Sequence, residues 1–102
     1  MSQSSVYPRV VITGMGIASP LGCGVSVTWE RLLAGKSGLR KLDEGLYADV
    51  PAKVAGVVPD INEDTQGGLN GDALVSSKDQ RKMDRFILLA LVAAEEALQQ
   101  AQ

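Results

Sequence analysis

No histidine occurs anywhere in the 102 residues. Histidine is the commonest general acid/base and a frequent metal ligand. Its absence excludes a self-contained Ser-His or Cys-His nucleophile and a zinc site built on Cys and His. Cysteine is almost absent too. One thiol, Cys23, cannot form an internal disulfide, so nothing points to an oxidising compartment. Aromatics make up only 4%, with a single Trp and a single Phe, so large core anchors are few. An excess of positive charge is missing as well. The net charge of -2 argues against a nucleic-acid partner, which selects basic proteins. No long hydrophobic run exists: the longest stretch without a polar side chain, Phe86 to Ala94, is too short to span a bilayer. The N-terminus has no apolar core of a signal peptide. A cytoplasmic protein that binds neither membrane nor nucleic acid is the default expectation.

What is present is 45% hydrophobic and 22% charged residues, a soluble composition in a length sufficient for one small domain. Residues 1–8 read as a flexible leader. Arg9 to Thr13 is a β-branched run, continued past two glycines by Ile17-Ala18. Lacking alternation, it suits a strand buried on both faces. A glycine-rich loop comes next. Val25 to Ala34 is predicted helical, with Val25, Trp29, Leu32 and Leu33 on one face and Gly35 at the C-cap position. Gly38 to Pro51 reads as loop. Lys53 to Val58 is a second strand candidate. Residues 60–76 form a long polar loop with glycines that suggest partial disorder.

From Lys78 to Gln102 helix formers dominate, and Ser77 with Gln80 fits a capping box. One continuous helix of roughly 37 Å is predicted. Its start carries Lys78, Arg81, Lys82 and Arg85 at i, i+3, i+4, i+7 spacing. These cations oppose the helix dipole, a broken local rule that suits an anionic partner as well as the usual solvated face. Phe86 to Ala94 is apolar around the whole helix and must be buried on all sides. Two strands and one other helix are poor material for that. The expectation is a segment of something larger, or a helix buried in an oligomer.

Two further patterns carry little. The G-x-G of Gly14 and Gly16 comes after a strand but does not lead into a helix, and Ser19 occupies the third glycine position, so a dinucleotide site is not expected. Cys23 has no adjacent base or cation to activate it, so a structural role is favoured.

Three segments in order resemble the β-ketoacyl-acyl-carrier-protein synthases of the type II kind. Arg9-Val-Val-Ile-Thr-Gly-Met-Gly-Ile-Ala-Ser-Pro-Leu-Gly22 resembles their opening strand and loop. Thr28 to Gly38 resembles the next helix, with its W-x-x-L-L-x-G-x-S-G pattern. Lys78-Asp-Gln-Arg-Lys-Met-Asp-Arg-Phe86 resembles their K-x-Q-R-K-M-D-x-F helix start. The resemblance implies an α/β protein, the N-terminal portion of a thiolase-like fold, ordered as strand, helix, strand, long helix. It implies one ketosynthase segment over 1–102. The implied reaction is decarboxylative Claisen condensation of an acyl thioester with malonyl-acyl-carrier protein in fatty-acid synthesis, performed by a homodimer without cofactor. The family's catalytic cysteine and two histidines have no counterpart here, and Cys23 does not match that cysteine. No catalytic, cofactor-binding or metal residue is therefore assigned. Lys78, Arg81 and Lys82 match positions that dock the acidic acyl-carrier protein. Two alternatives stay open: a non-catalytic helical module dimerising through Phe86 to Leu98, and a polyketide-type condensing subunit.

Overall fold

The computed structural model describes residues 6–102. Residues 1–5 of the expected leader lie outside the described residues, while Val6 and Tyr7 are exposed.

A tight antiparallel pair, β1 (Ala18–Ser19) and β2 (Gly22–Cys23), turns through Pro20-Leu21 with Ala18 opposite Cys23. Helix α1 comes at once afterwards (Val25–Leu33). Its end bears out the glycine reading. Gly35 has φ 76°, its N–H donates to the Leu32 carbonyl at 3.1 Å, and the Lys36 N–H donates to that of Arg31 at 3.0 Å. This is the Schellman closure that a residue without Cβ adopts cheaply.

Next come β3 (Leu39–Lys41) and β4 (Val54–Gly56), paired antiparallel with Arg40 opposite Ala55. The second strand candidate thus holds over its middle. The reading of Gly38 to Pro51 as loop is corrected by β3, which is exposed throughout and finds its order only by pairing. A segment as polar as Leu-Arg-Lys carries no strand period of its own.

The loop over 60–76 is polar but built. Asp60 and Leu69 form a parallel bridge, the Leu69 N–H donates to the Pro59 carbonyl at 2.7 Å, and a 3-10 turn spans Gly71–Ala73. Its Leu69 is 4% exposed and Leu88 of the last helix is 8%, and these two are the buried hydrophobic side chains among the described residues. The core sits where this loop meets the C-terminal helix, which contradicts the expectation of partial disorder.

The single long helix is corrected as well. The chain forms α2 (Ser77–Gln80), a turn, and α3 (Arg85–Gln100), the latter about 24 Å long. Asp84 breaks it. With φ -72° and ψ 156° it is extended and occupies the N-cap position of α3, without a side-chain cap hydrogen bond. The cap of α2 is Ser76, whose side chain accepts from the Asp79 N–H at 3.2 Å, rather than Ser77 paired with Gln80.

The first strand expected from the β-branched run forms no ladder. Val10 is 88% and Ile12 80% exposed, with no partner strand among the described residues. The two glycines beyond this run are held tightly. A Cβ at Gly14 would collide with the Ala97 carbonyl oxygen, and one at Gly16 would collide with that of Ala93. Two residues of extended chain advance roughly 6.6 Å and four residues of helix roughly 6 Å, so the two glycines match the two alanines in step. The G-x-G is a backbone-to-helix contact.

Candidate functional site

The four basic residues of the expected stripe are all exposed, and hydrogen bonding separates them. Arg85, the first residue of α3, donates from Nη2 to the Val58 carbonyl at 3.2 Å. It anchors the start of α3 to the strand region. Lys78 lies in α2, Arg81 is its C-cap and Lys82 is in the turn beyond. All three are exposed, and none takes part in an ion pair or side-chain hydrogen bond among the described residues. The four-residue stripe along one helix is therefore corrected: Arg85 leaves it.

The dipole argument changes with it. Because α2 is a single turn ending at Gln80, Arg81 and Lys82 lie past its C-terminal end, where cations are favoured rather than opposed. The patch is electrostatically comfortable in its own helix. What marks it is that three cations close together in the chain are exposed and without an ion pair among the described residues, in contrast to Arg31, Arg40 and Lys41, which have carboxylate partners.

Arg31 and Asp64 show the contrast. Arg31 Nη1 donates to Asp64 Oδ2 at 2.5 Å, Nη2 to Oδ1 at 3.0 Å, and Nη1 also to the Leu21 carbonyl at 2.7 Å. Asp64 further accepts the N–H groups of Gly67 and Gln66. The guanidinium, with those two N–H groups, holds the Asp64 carboxyl well below the usual carboxylate range. This fork fastens the 60–71 loop to α1 and the β1–β2 turn. A depression of about 480 Å³ beside it is lined by Glu30, Lys36 and Glu63 together with the pair. Its closest charges, Arg31 and Asp64, already neutralise each other.

Cys23 is half-buried behind this loop, its N–H donating to the Gly67 carbonyl at 2.6 Å. Burial pushes its thiol up from the ordinary value, Arg85 opposing and the Glu96 and Asp64 carboxylates adding. A raised thiol is a poor nucleophile, which supports the structural reading.

One residue with a large role carried no sequence signal: Glu96. Its Oε1 accepts the Ile17 N–H at 3.0 Å and its Oε2 the Val25 N–H at 2.9 Å. Gly24 gives α1 no side-chain cap, so a carboxylate from α3 supplies it, at the helix end where negative charge is favoured. Nearby, Met15, Ile17, Val25, Trp29 and Leu32 line an open apolar groove of about 310 Å³. The apolar face expected on α1 exists, but it is uncovered.

A turn-to-helix opening strapped to a C-terminal helix, with a charged turn just before that helix, is the arrangement on which the sequence comparisons bear. The chain belongs to the family described as Beta-ketoacyl synthase, N-terminal domain, whose model matches residues 8–102. Among individual relatives, it is 47% identical over 93 residues to 3-oxoacyl-acyl-carrier-protein synthase 2 of Rhizobium meliloti (strain 1021), covering 91% of this chain. It is 38% identical over 102 residues to the protein of the same name from Staphylococcus aureus (strain COL), covering 100% of this chain. The chain spans 22% of the length of each of these relatives.

Proposed function

We propose that this chain works as the opening part of a β-ketoacyl-acyl-carrier-protein synthase of fatty-acid synthesis. The whole enzyme joins an acyl thioester to the carbanion released when malonyl-acyl-carrier protein loses carbon dioxide. This part contributes scaffold and a docking surface for the acidic carrier protein, and none of the reacting groups. The reading includes a cytoplasmic homodimer that needs no cofactor. What supports it is the family membership together with the relatives' name, which specifies a carrier-protein substrate.

Lys78, Arg81 and Lys82 are the proposed docking residues. The observation that carries them is their shared exposure without internal partners, since free cations attract an acidic protein at little desolvation cost. The test is Lys78→Glu with Arg81→Glu in a full-length enzyme bearing this segment. KM for acyl-carrier protein is expected to rise by about tenfold with kcat little changed, as for lost encounter electrostatics. An unchanged KM removes the three residues from the account.

The helical dimerisation module remains a second reading, favoured by one observation: Phe86 on α3 is 69% exposed. A stable, cooperatively folded dimer of the 102-residue chain would support it over the synthase segment.

A further inference from the structure

The docking turn is a one-turn helix, and such a helix does not hold its shape by propensity. Something must fix it. Among the residues of α2, Gln80 alone is not exposed, and it lines a small depression together with Leu69 and Leu88. Its Nε2 donates to Asp72 Oδ1 at 2.8 Å and to the Val75 carbonyl at 2.7 Å. Its Oε1 lies against Gly71, where a Cβ would come within 2.7 Å of it. The side chain thus reaches out of α2, away from the capping role its spacing suggests, and ties the turn to the 71–75 segment resting on Leu88. At about 100° per residue, Lys78 projects opposite Gln80, while Arg81 at the C-cap and Lys82 in the turn follow directly after it. The fixed side of the turn determines where the charged side points.

We infer that Gln80 is a positioning residue for the carrier-protein surface, holding Lys78, Arg81 and Lys82 in one orientation through Asp72 and Val75. This rests on the docking role proposed above. Gln80 touches no carrier protein itself. Its two hydrogen bonds convert three flexible cations on a marginal turn into a presented patch, which lowers the ordering cost of binding.

The test measures binding of purified acyl-carrier protein to a full-length enzyme bearing this segment across a salt series, with far-UV circular dichroism on each variant. Gln80→Met keeps shape and removes the donor. It is expected to weaken binding about fivefold, the worth of roughly one hydrogen bond, with the salt dependence unchanged because no charge is lost. Asp72→Ala gives the sharper result and serves if Gln80→Met does not fold. Removing an acidic charge beside a basic patch should tighten binding to an acidic partner by electrostatics alone, whereas loss of the Gln80 anchor weakens it. Asp72→Asn, which keeps an acceptor, is expected to retain binding at least as tight as the parent chain. Parent-like or tighter binding by both Gln80→Met and Asp72→Ala overturns the positioning role while leaving docking intact, provided Lys78→Glu with Arg81→Glu still weakens it. If that charge-reversed variant binds like the parent, or the parent does not bind, docking itself fails and the inference with it.

Discussion

At Gly16 the carbonyl of Ala93 occupies the space a side chain would need, and the obstacle is backbone, which cannot rotate away. Gly16→Ala is therefore expected to cost about 3 kcal/mol or more, at the upper end of overpacking, with Gly14→Ala nearly as severe. Thermal unfolding measured by circular dichroism checks this, and a midpoint shift within error would contradict the close contact. Glu96 carries a different load. Glu96→Ala leaves the N–H groups of Ile17 and Val25 without their acceptor, so a loss of about 2 kcal/mol is expected. Glu96→Gln keeps one acceptor oxygen and should fall between. Accelerated amide exchange at Ile17 and Val25 in the alanine variant, read by NMR, would localise the effect. Cys23 stays slow toward alkylating reagents at neutral pH on this account, since burial raises its thiol.

Among elements, the 60–71 loop depends on a carboxylate being charged. Asp64 is held below its ordinary value in the folded chain, so between that value and the unfolded one the unfolded chain binds more protons, and stability rises with pH. Its contribution is complete above roughly pH 4 and is lost as pH falls through the folded value. The stability difference between the parent chain and Asp64→Asn should therefore be largest near neutrality and shrink on acidification below about pH 4. Unfolding midpoints measured at about pH 6, 4 and 3 test this, and a constant difference would mean the fork with Arg31 contributes nothing in solution. Glu63, lowered by Arg40 in the same way, is more exposed and more screened, so its share is smaller. The break at Asp84 belongs to this scale too. It parts α2 from α3, and Arg85 bonds the Val58 carbonyl while Lys78, Arg81 and Lys82 stay free among the described residues.

The molecule as a whole buries too little. Its radius of gyration is 17.6 Å, against about 13 Å for a compact domain of this length. The β-branched run at Val10 to Ile12, the α1 face at Trp29 and Leu33, and the α3 face at Phe86 and Leu98 all meet solvent. Exposed apolar surface on that scale binds hydrophobic dyes and self-associates. The isolated chain is expected to enhance the fluorescence of an anilinonaphthalene sulfonate dye and to sediment above monomer mass with increasing concentration. A compact, dye-negative monomer would contradict the expectation, read from Phe86 to Ala94, that this helix needs cover from outside the chain.

Local chemistry carries what the sequence determined by itself. The α1 span, its Gly35 closure and the middle of the second strand rest on residue types acting on their near neighbours, which is why they were legible in the sequence; the family was legible through the resemblance of three segments. The three docking candidates rested on the family pattern and remain a proposal. Distant contacts decided the rest: the pairing that makes β3, and the carboxylate of Glu96 serving a helix 71 positions away. Neither propensity nor periodicity encodes these. A hydrogen bond between residues far apart in the chain exists only once folding has brought both partners to one place, so no window of sequence contains it.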